Sequence, residues 1–521
     1  MPATYPSSLW LTRLLASCSL ALLTACGGGD GASPGTTPPE TPGKPGSGGG
    51  PPLPTAWVAG VFAPSYLYAN LCAAPRTGID TYTGNPFPDK SGSTLDENNW
   101  LRSWSNESYL WYSEIVDNNP ALHATLDYFE LLKTTALTPS GIPKDQFHFS
   151  YPSDVWNALS TGDAAPGYGM QWAWLQNTPP RELIVAYVEP GSPAAGIARG
   201  TRLLEINGID LVNENSLEGI NALNAALFPS ITGLNTEFTI QDAGASVQRT
   251  ITLQSVDVTS VPVQNVKTFP GPNGSTVGYM QFNNHFLTAE RQLVNAVNKM
   301  GTEGATELIV DLRYNGGGYL DIASQLAYMI AGRMNTQGKV FERSVFNDKI
   351  EANGSVGTPL LFHSTGFGAS IPNDEQLPSL NLRRVYVLTG PDTCSASESI
   401  INGLRGIDID VVQIGDTTCG KPYGFFAAAN CGSTYFSIQF KSENAKGFGD
   451  YSDGMPPTCA APDDFEHALG DPREARMAAA LTYMATGACP ASAARARGSL
   501  ARTAPLLRKP EGLSNRILLK R

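Results

Sequence analysis

Between Val277 and Ile414, apolar runs bounded by glycine alternate with amphipathic stretches, an order that buries itself by stacking helices on a sheet. The pattern predicts strands at Val277 to Phe282, Glu307 to Leu312, Arg384 to Leu388 and Val411 to Ile414. Helices are expected at about Ala289 to Met300, Tyr319 to Ile330 and Ser395 to Leu404. The loops that follow these strands hold the residues with chemistry. The chain has 521 residues, 41% apolar and 16% charged, enough for several globular domains with real cores. Its formal net charge of -12 argues against nucleic-acid binding, which needs a basic face to neutralise phosphates.

The amino terminus has Arg13, an apolar stretch from Leu14 to Leu23 and then Thr24-Ala25-Cys26-Gly27, the layout of a secretory signal too short to remain as an anchor. Small residues before a cysteine resemble a bacterial lipoprotein cleavage box, which implies a lipidated Cys26 and, in a Gram-negative cell, the outer membrane facing the periplasm or exterior. The alternative is an ordinary secretory signal in which Cys26 is incidental. Residues 27–55 are nearly all Gly, Pro, Ser and Thr, a tether rather than a core. Removing Cys18 and Cys26 leaves Cys72, Cys394, Cys419, Cys431, Cys459 and Cys489, an even set for which disulfides are expected in an oxidising compartment. Spacing does not choose among the pairings; the one entertained here joins Cys419 to Cys431. No cofactor and no metal site is expected, because C-x-x-C, H-E-x-x-H and P-loop patterns do not occur.

Residues 56–155 read as a small helical domain, with Leu101, Trp104, Ser108, Trp111 and Ile115 recurring at helical spacing as core. Short alternating strands follow in 156–260, at Leu183 to Val188, Arg202 to Ile206, Phe238 to Gln241 and Arg249 to Leu253. With Gly167-Tyr168-Gly169-Met170 at the start and Leu204 to Gly208 later, this segment resembles a PDZ domain. The resemblance implies that Gly167, Tyr168, Gly169 and Met170 present backbone N–H groups to a peptide carboxylate while the peptide extends the sheet. The last stretch, 491–521, is basic and reads as a mobile tail.

Three segments supply candidate chemistry: Asp311 to Gly318, Thr393-Cys394-Ser395-Ala396-Ser397-Glu398, and Gly420-Lys421. A serine hydroxyl is a weak nucleophile at neutral pH and needs a group to take its proton and donors to hold the oxyanion. Ser395, Lys421 and the glycine backbone offer all three. Ser395 to Glu398 also fits a helix capping box, and the glycines fit a simple tight turn. Cys394 is a rival nucleophile only if it is not oxidised. Of His123, His148, His285, His363 and His467, only His285, just past a predicted strand, is kept in reserve as a rival base.

In this order, with the PDZ-like segment upstream, the motifs resemble those of the carboxyl-terminal processing (tail-specific) serine proteases, in a divergent lipoprotein-type branch. The resemblance covers about Gly167 to Gly487. It implies a multidomain α/β fold with a crotonase-like peptidase core at 261–490, Ser395 as nucleophile and Lys421 as base. It also implies an oxyanion hole from the N–H of Ala396 and that of Gly317 or Gly318, and polypeptide substrates recognised by their carboxyl-terminal tails. Two departures stand out: Phe425 replaces the usual glutamine four residues after the lysine, and Pro422 follows the lysine. A lysine of ordinary pKa near about 10.4 must be brought down by about 3 to act as a base at neutral pH, at a cost of roughly 4 kcal/mol that burial can impose. The competing reading is a catalytically impaired scaffold that binds peptide tails.

Overall fold

The computed structural model describes residues 56–161, 164–352 and 358–491, with the backbone of 516–518. The signal, Cys26, the tether and most of the basic tail lie outside the described residues.

A helix α1 (Thr94–Ser108) starts at Ser93, whose hydroxyl accepts from the Asp96 N–H while the Asp96 carboxylate accepts from Ser93, a reciprocal cap. Leu101 and Trp104 lie in its core with Tyr128 and Phe129, as their spacing predicts. The helix ends at Ser108, so Trp111 and Ile115 flank a 3-10 turn instead: Trp111 packs on a neighbouring cluster and Ile115 on both that cluster and the core of α1. Strand β1 (Phe149–Pro152) then pairs with a strand almost three hundred residues later, described below.

The next unit is an antiparallel sheet of β2 (Met170–Gln176), β3 (Glu182–Val188), β4 (Arg202–Ile206), β5 (Asn235–Gln241) and β6 (Arg249–Gln254), with α2 (Leu217–Leu227) before β5. The spatial order is β6-β5-β4-β3-β2, so β2 lies at an edge. Leu183, Leu203, Ile206, Phe238 and Ile240 pack with Ile220, Leu223 and Leu227 of α2 as one core.

The third unit is built on β7 (Val263–Pro270), β8 (Thr276–Phe282), α3 (Ala289–Thr302), β9 (Glu307–Asp311), β10 (Gly317–Tyr319), α4 (Leu320–Ala331), β11 (Val340–Phe346), β12 (Arg384–Thr389), α5 (Ala396–Gly406) and β13 (Asp410–Gly415). It closes with β14 (Tyr423–Gly424), β15 (Ser433–Phe436), β16 (Phe440–Glu443), β17 (Cys459–Ala460) and α6 (Ala475–Thr486). The main sheet runs β7-β8-β9-β12-β13-β17, antiparallel at β7/β8 and parallel from β8 onward. Alternate residues sort to opposite faces, as strand geometry requires. Leu308, Val310, Val385 and Val387 face α3, α4 and α5, whereas Ile309, Tyr386 and Leu388 face Met477, Ala479 and Ala480 of α6. Each such side chain contributes about 1.5 to 3 kcal/mol by leaving water. A second sheet pairs β11 with β16 and β16 with β14, and β15 is the partner of β1.

The cysteine expectation is corrected: Cys419 bonds to Cys394, Cys431 to Cys72 and Cys459 to Cys489. Cys419 and Cys431 flank β14 and end on different neighbours, so tertiary contact, not proximity along the chain, decides the partner.

Candidate active site

Strands β9, β12 and β13 are parallel neighbours, so the loops after them emerge at one end of the sheet. These loops carry Leu312 to Gly318, Gly390 to Ser395 and Asp416 to Lys421, the three segments that the sequence singles out. Backbone bonds tie them together: Cys394 N–H donates to the Asn315 carbonyl at 3.1 Å and Cys419 N–H to the Thr393 carbonyl at 3.0 Å.

Ser395 is fully buried and sits immediately before α5, where backbone N–H groups point toward incoming negative charge. Its φ of 61° and ψ of -121° put a non-glycine residue in a sparsely populated region, which persists only where neighbours over-determine it. Its Oγ has no hydrogen-bond partner among the described residues. The capping box is therefore made in one direction only: Ser395 N–H donates to Glu398 Oε2 at 2.9 Å and the hydroxyl stays available.

Glu398 ties the segments together. Besides the Ser395 N–H, its carboxylate accepts from the Gly420 and Lys421 N–H groups, each at 2.9 Å, and from Thr418 Oγ1 at 2.5 Å. One buried side chain thus holds the backbone of both Ser395 and Lys421. Burial pushes its pKa up while these donors pull it back. A capping motif at the sequence level carries no sign of this second role.

Lys421 is also fully buried, its ammonium 4.3 Å from the centre of the Phe425 ring and 4.8 Å from that of Phe147. Phe425, expected only as a missing glutamine, supplies a ring face against the amine. Phe147, two residues before β1, carries no local signal of this role, which depends on a contact across 274 residues. Gly420 has φ of 84°, and a Cβ there would meet the Ser452 carbonyl at 2.4 Å, so only glycine fits beside the lysine.

Asn315 organises the glycine run. Its Oδ1 accepts from Gly317 N–H at 3.0 Å and faces His285 Nδ1 at 3.0 Å, and its Nδ2 donates to the Phe282 carbonyl. Because Oδ1 is an acceptor, His285 carries its proton on Nδ1. Burial depresses its pKa to about 3, which makes the imidazole a very weak base and speaks against the reserve assignment. Its backbone instead accepts from Tyr319 N–H and donates to the Gly317 carbonyl, bracing Gly318. Gly318 has φ of 142°, and a Cβ on it would lie 2.6 Å from the His285 carbonyl.

Met170 opens β2 at the edge of the other sheet, Gly167 pairs instead with Val256 in a separate two-stranded ribbon, and Tyr168 and Gly169 join the two. The Glu189 and Ala194 N–H groups donate to the Gly169 and Tyr168 carbonyls, and the Tyr168 hydroxyl meets Thr236. Arg199, from the same unit, donates to Tyr314 Oη at 2.7 Å and pairs with Asp463, which also pairs with Arg313 at 2.6 Å. Tyr314 adjoins Asn315, so a charged network runs from the first sheet to the glycine loop.

Among the described residues, one cluster, Cys394, Glu398 and Cys419, brings metal-ligating atoms within 4.8 Å of one another. Its two sulfurs are bonded to each other and its carboxylate is engaged by N–H donors, so this donor set does not fit a cation.

Residues 276–424 match the profile of peptidase family S41. That is a family of hydrolases of the peptide bond, and the S41 segment contains His285, Asp311 to Gly318, Ser395 and Lys421. A carboxyl-terminal-processing protease of Picosynechococcus sp. is 26% identical over 265 residues, half of this chain and 56% of that protein. A carboxy-terminal processing protease of Bacillus subtilis is 28% identical over 247 residues, 46% of this chain and 44% of its own length. The chain thus spans about half the length of the relatives it matches. A solved structure assigned to the S41 proteases, from Bacteroides fragilis, has a TM-score of 0.56 at 24% identity, covering 75% of this chain and 97% of that one. The last likeness establishes the multidomain mixed α/β fold.

Proposed function

We propose that this chain is a serine endopeptidase of the cell envelope that cleaves proteins presented by their carboxyl-terminal tails. Ser395 Oγ attacks the scissile carbonyl while neutral Lys421 Nζ takes its proton. The Ala396 N–H holds the oxyanion, and Gly318 is favoured over Gly317 as second donor because the Gly317 N–H is committed to Asn315. Protonated Lys421 then gives its proton to the leaving amine, and water attacks the acyl-enzyme with Lys421 again as base.

The observation that carries this reading is the pairing of an unpartnered, buried Ser395 Oγ with a buried Lys421 whose backbone hangs from the same Glu398 carboxylate. Residues 156–260 are read as a PDZ-like unit, whose edge strand β2 would accept a peptide as an added strand. Lipidation at Cys26 would hold the chain at the outer membrane; among the described residues no helix is long and apolar enough to cross a membrane.

The test uses the chain beginning after Cys26, incubated with an unstructured protein ending in an apolar tail, beside Ser395→Ala and Lys421→Ala variants. Cleavage by the parent alone is expected, with a rate rising with pH through the lysine titration. Equal inactivity of all three with tail binding retained would favour the scaffold reading. A flat profile from about pH 6 to 9 with chemistry rate-limiting would exclude Lys421 as base.

A further inference from the structure

The Cys394–Cys419 bond closes one residue before the nucleophile and two residues before the base, with the two Cα atoms 5.2 Å apart. We propose that this bond is a positioning device for the Ser395 and Lys421 pair, and that a dithiol reductant therefore switches the site off. The inference rests on the serine-peptidase reading above.

Three observations converge on it. Ser395 holds a backbone conformation that its neighbours must impose, and Cys394 is the residue whose covalent partner sits on the lysine's own loop. That loop is otherwise fastened to the Ser395 segment by the Cys419 N–H bond to Thr393 and by the donors that meet at Glu398. Phe425, four residues past the base, offers a ring face and no oxygen to aim the amine. A covalent link between the two loops meets the same requirement by fixing the backbone that carries Lys421. Both cysteines are buried, Cys394 completely, so the bond is part of the floor of the site rather than a surface clasp.

Reduction is a thiol exchange that waits on a local opening of this floor: the dithiol attacks the sulfur so exposed, then closes on itself. Two hydrogens pass to Cys394 and Cys419 as thiols, and the reductant leaves as a cyclic disulfide. Freed, the Asp416 to Lys421 loop is held to the Ser395 segment by hydrogen bonds and apolar packing with no covalent link among the described residues. A displacement of about 1 Å between reacting groups costs on the order of 10²-fold in rate.

The experiment measures the rate at which a fluorophosphonate esterifies Ser395, with loss of fluoride, in the chain beginning after Cys26. The parent is compared with three double variants: Cys394→Ala/Cys419→Ala, Cys72→Ala/Cys431→Ala and Cys459→Ala/Cys489→Ala. The first should label about 100-fold more slowly and lose the rise of rate with pH that Lys421 gives, while its thermal melt remains cooperative. The other two should label at the parent rate. If the first double variant does not fold, the oxidised parent is titrated with dithiol. Alkylation and peptide mass then identify which bonds have opened, and labelling should fall in step with Cys394–Cys419 and return on reoxidation. Labelling that persists at the parent rate with Cys394–Cys419 open overturns the proposal alone. Failure of the oxidised parent to label at Ser395 overturns the peptidase reading and this inference with it.

Discussion

At the scale of single residues, Glu398 is the group on which Ser395 and Lys421 both depend. A glutamine has one acceptor oxygen, and its NH₂ would face either the Ser395 and Lys421 N–H groups, which meet at Oε2, or the Gly420 N–H and Thr418 hydroxyl, which meet at Oε1. Glu398→Gln should fold and bind tails yet lose on the order of 10²-fold in kcat, read from peptide hydrolysis with KM measured alongside. Gly318 is constrained differently. Ala at this position would keep a φ of 142° and drive a methyl into the His285 backbone. Gly318→Ala should lose about 1 to 3 kcal/mol of stability, measured by denaturant melt, together with its fluorophosphonate labelling. Ser395, Lys421 and the glycine run are picked out in the sequence by their residue types in loops after strands and by the family resemblance of the three segments in that order. Phe147 and the partner of Cys394 are not legible, because each is defined by a contact between distant segments and not by a local pattern.

At the scale of elements, β11 runs close beneath α5, the helix that begins after Ser395. Gly403 allows that approach, since a Cβ there would meet the Phe341 ring at 2.6 Å. Glu342 on the same strand is buried and accepts from Ser442 Oγ of β16 at 2.7 Å. Burial raises its pKa to about 7 from 4.5. Between those values the folded chain holds a proton that the unfolded chain has released, so stability falls as pH rises. The contribution is fully present below pH 4.5 and lost above about 7, on the order of 3 kcal/mol. Glu342→Gln should flatten this part of the stability curve, which paired denaturant titrations at pH 5 and 8 would measure; an unchanged slope would mean that other groups set it. The parallel strands β8, β9, β12 and β13 can be read from sequence because burial on both faces makes them continuous apolar runs. Strands β11 and β16 cannot, since Glu342, Lys441 and Ser442 interrupt them and their polar partners are met only in the fold.

At the scale of the molecule, the sheet that contains β2 meets the third unit through Arg199, whose guanidinium touches Asp463, Tyr314 and the Phe465 ring. Arg199→Met should cost about 2 kcal/mol, discounted for the partly solvated Asp463, and should separate the melting of the two units. A single unchanged transition in calorimetry would count against this contact as their coupling. The amino-terminal segment is joined more firmly. Strand β1 pairs with β15, and Cys72 is bonded to Cys431 across 359 residues. Most of the chain therefore lies inside one covalent ring. A single backbone cut anywhere between those two cysteines releases no fragment, so a nicked molecule would migrate near full length on a gel without reductant and fall into two pieces only with it.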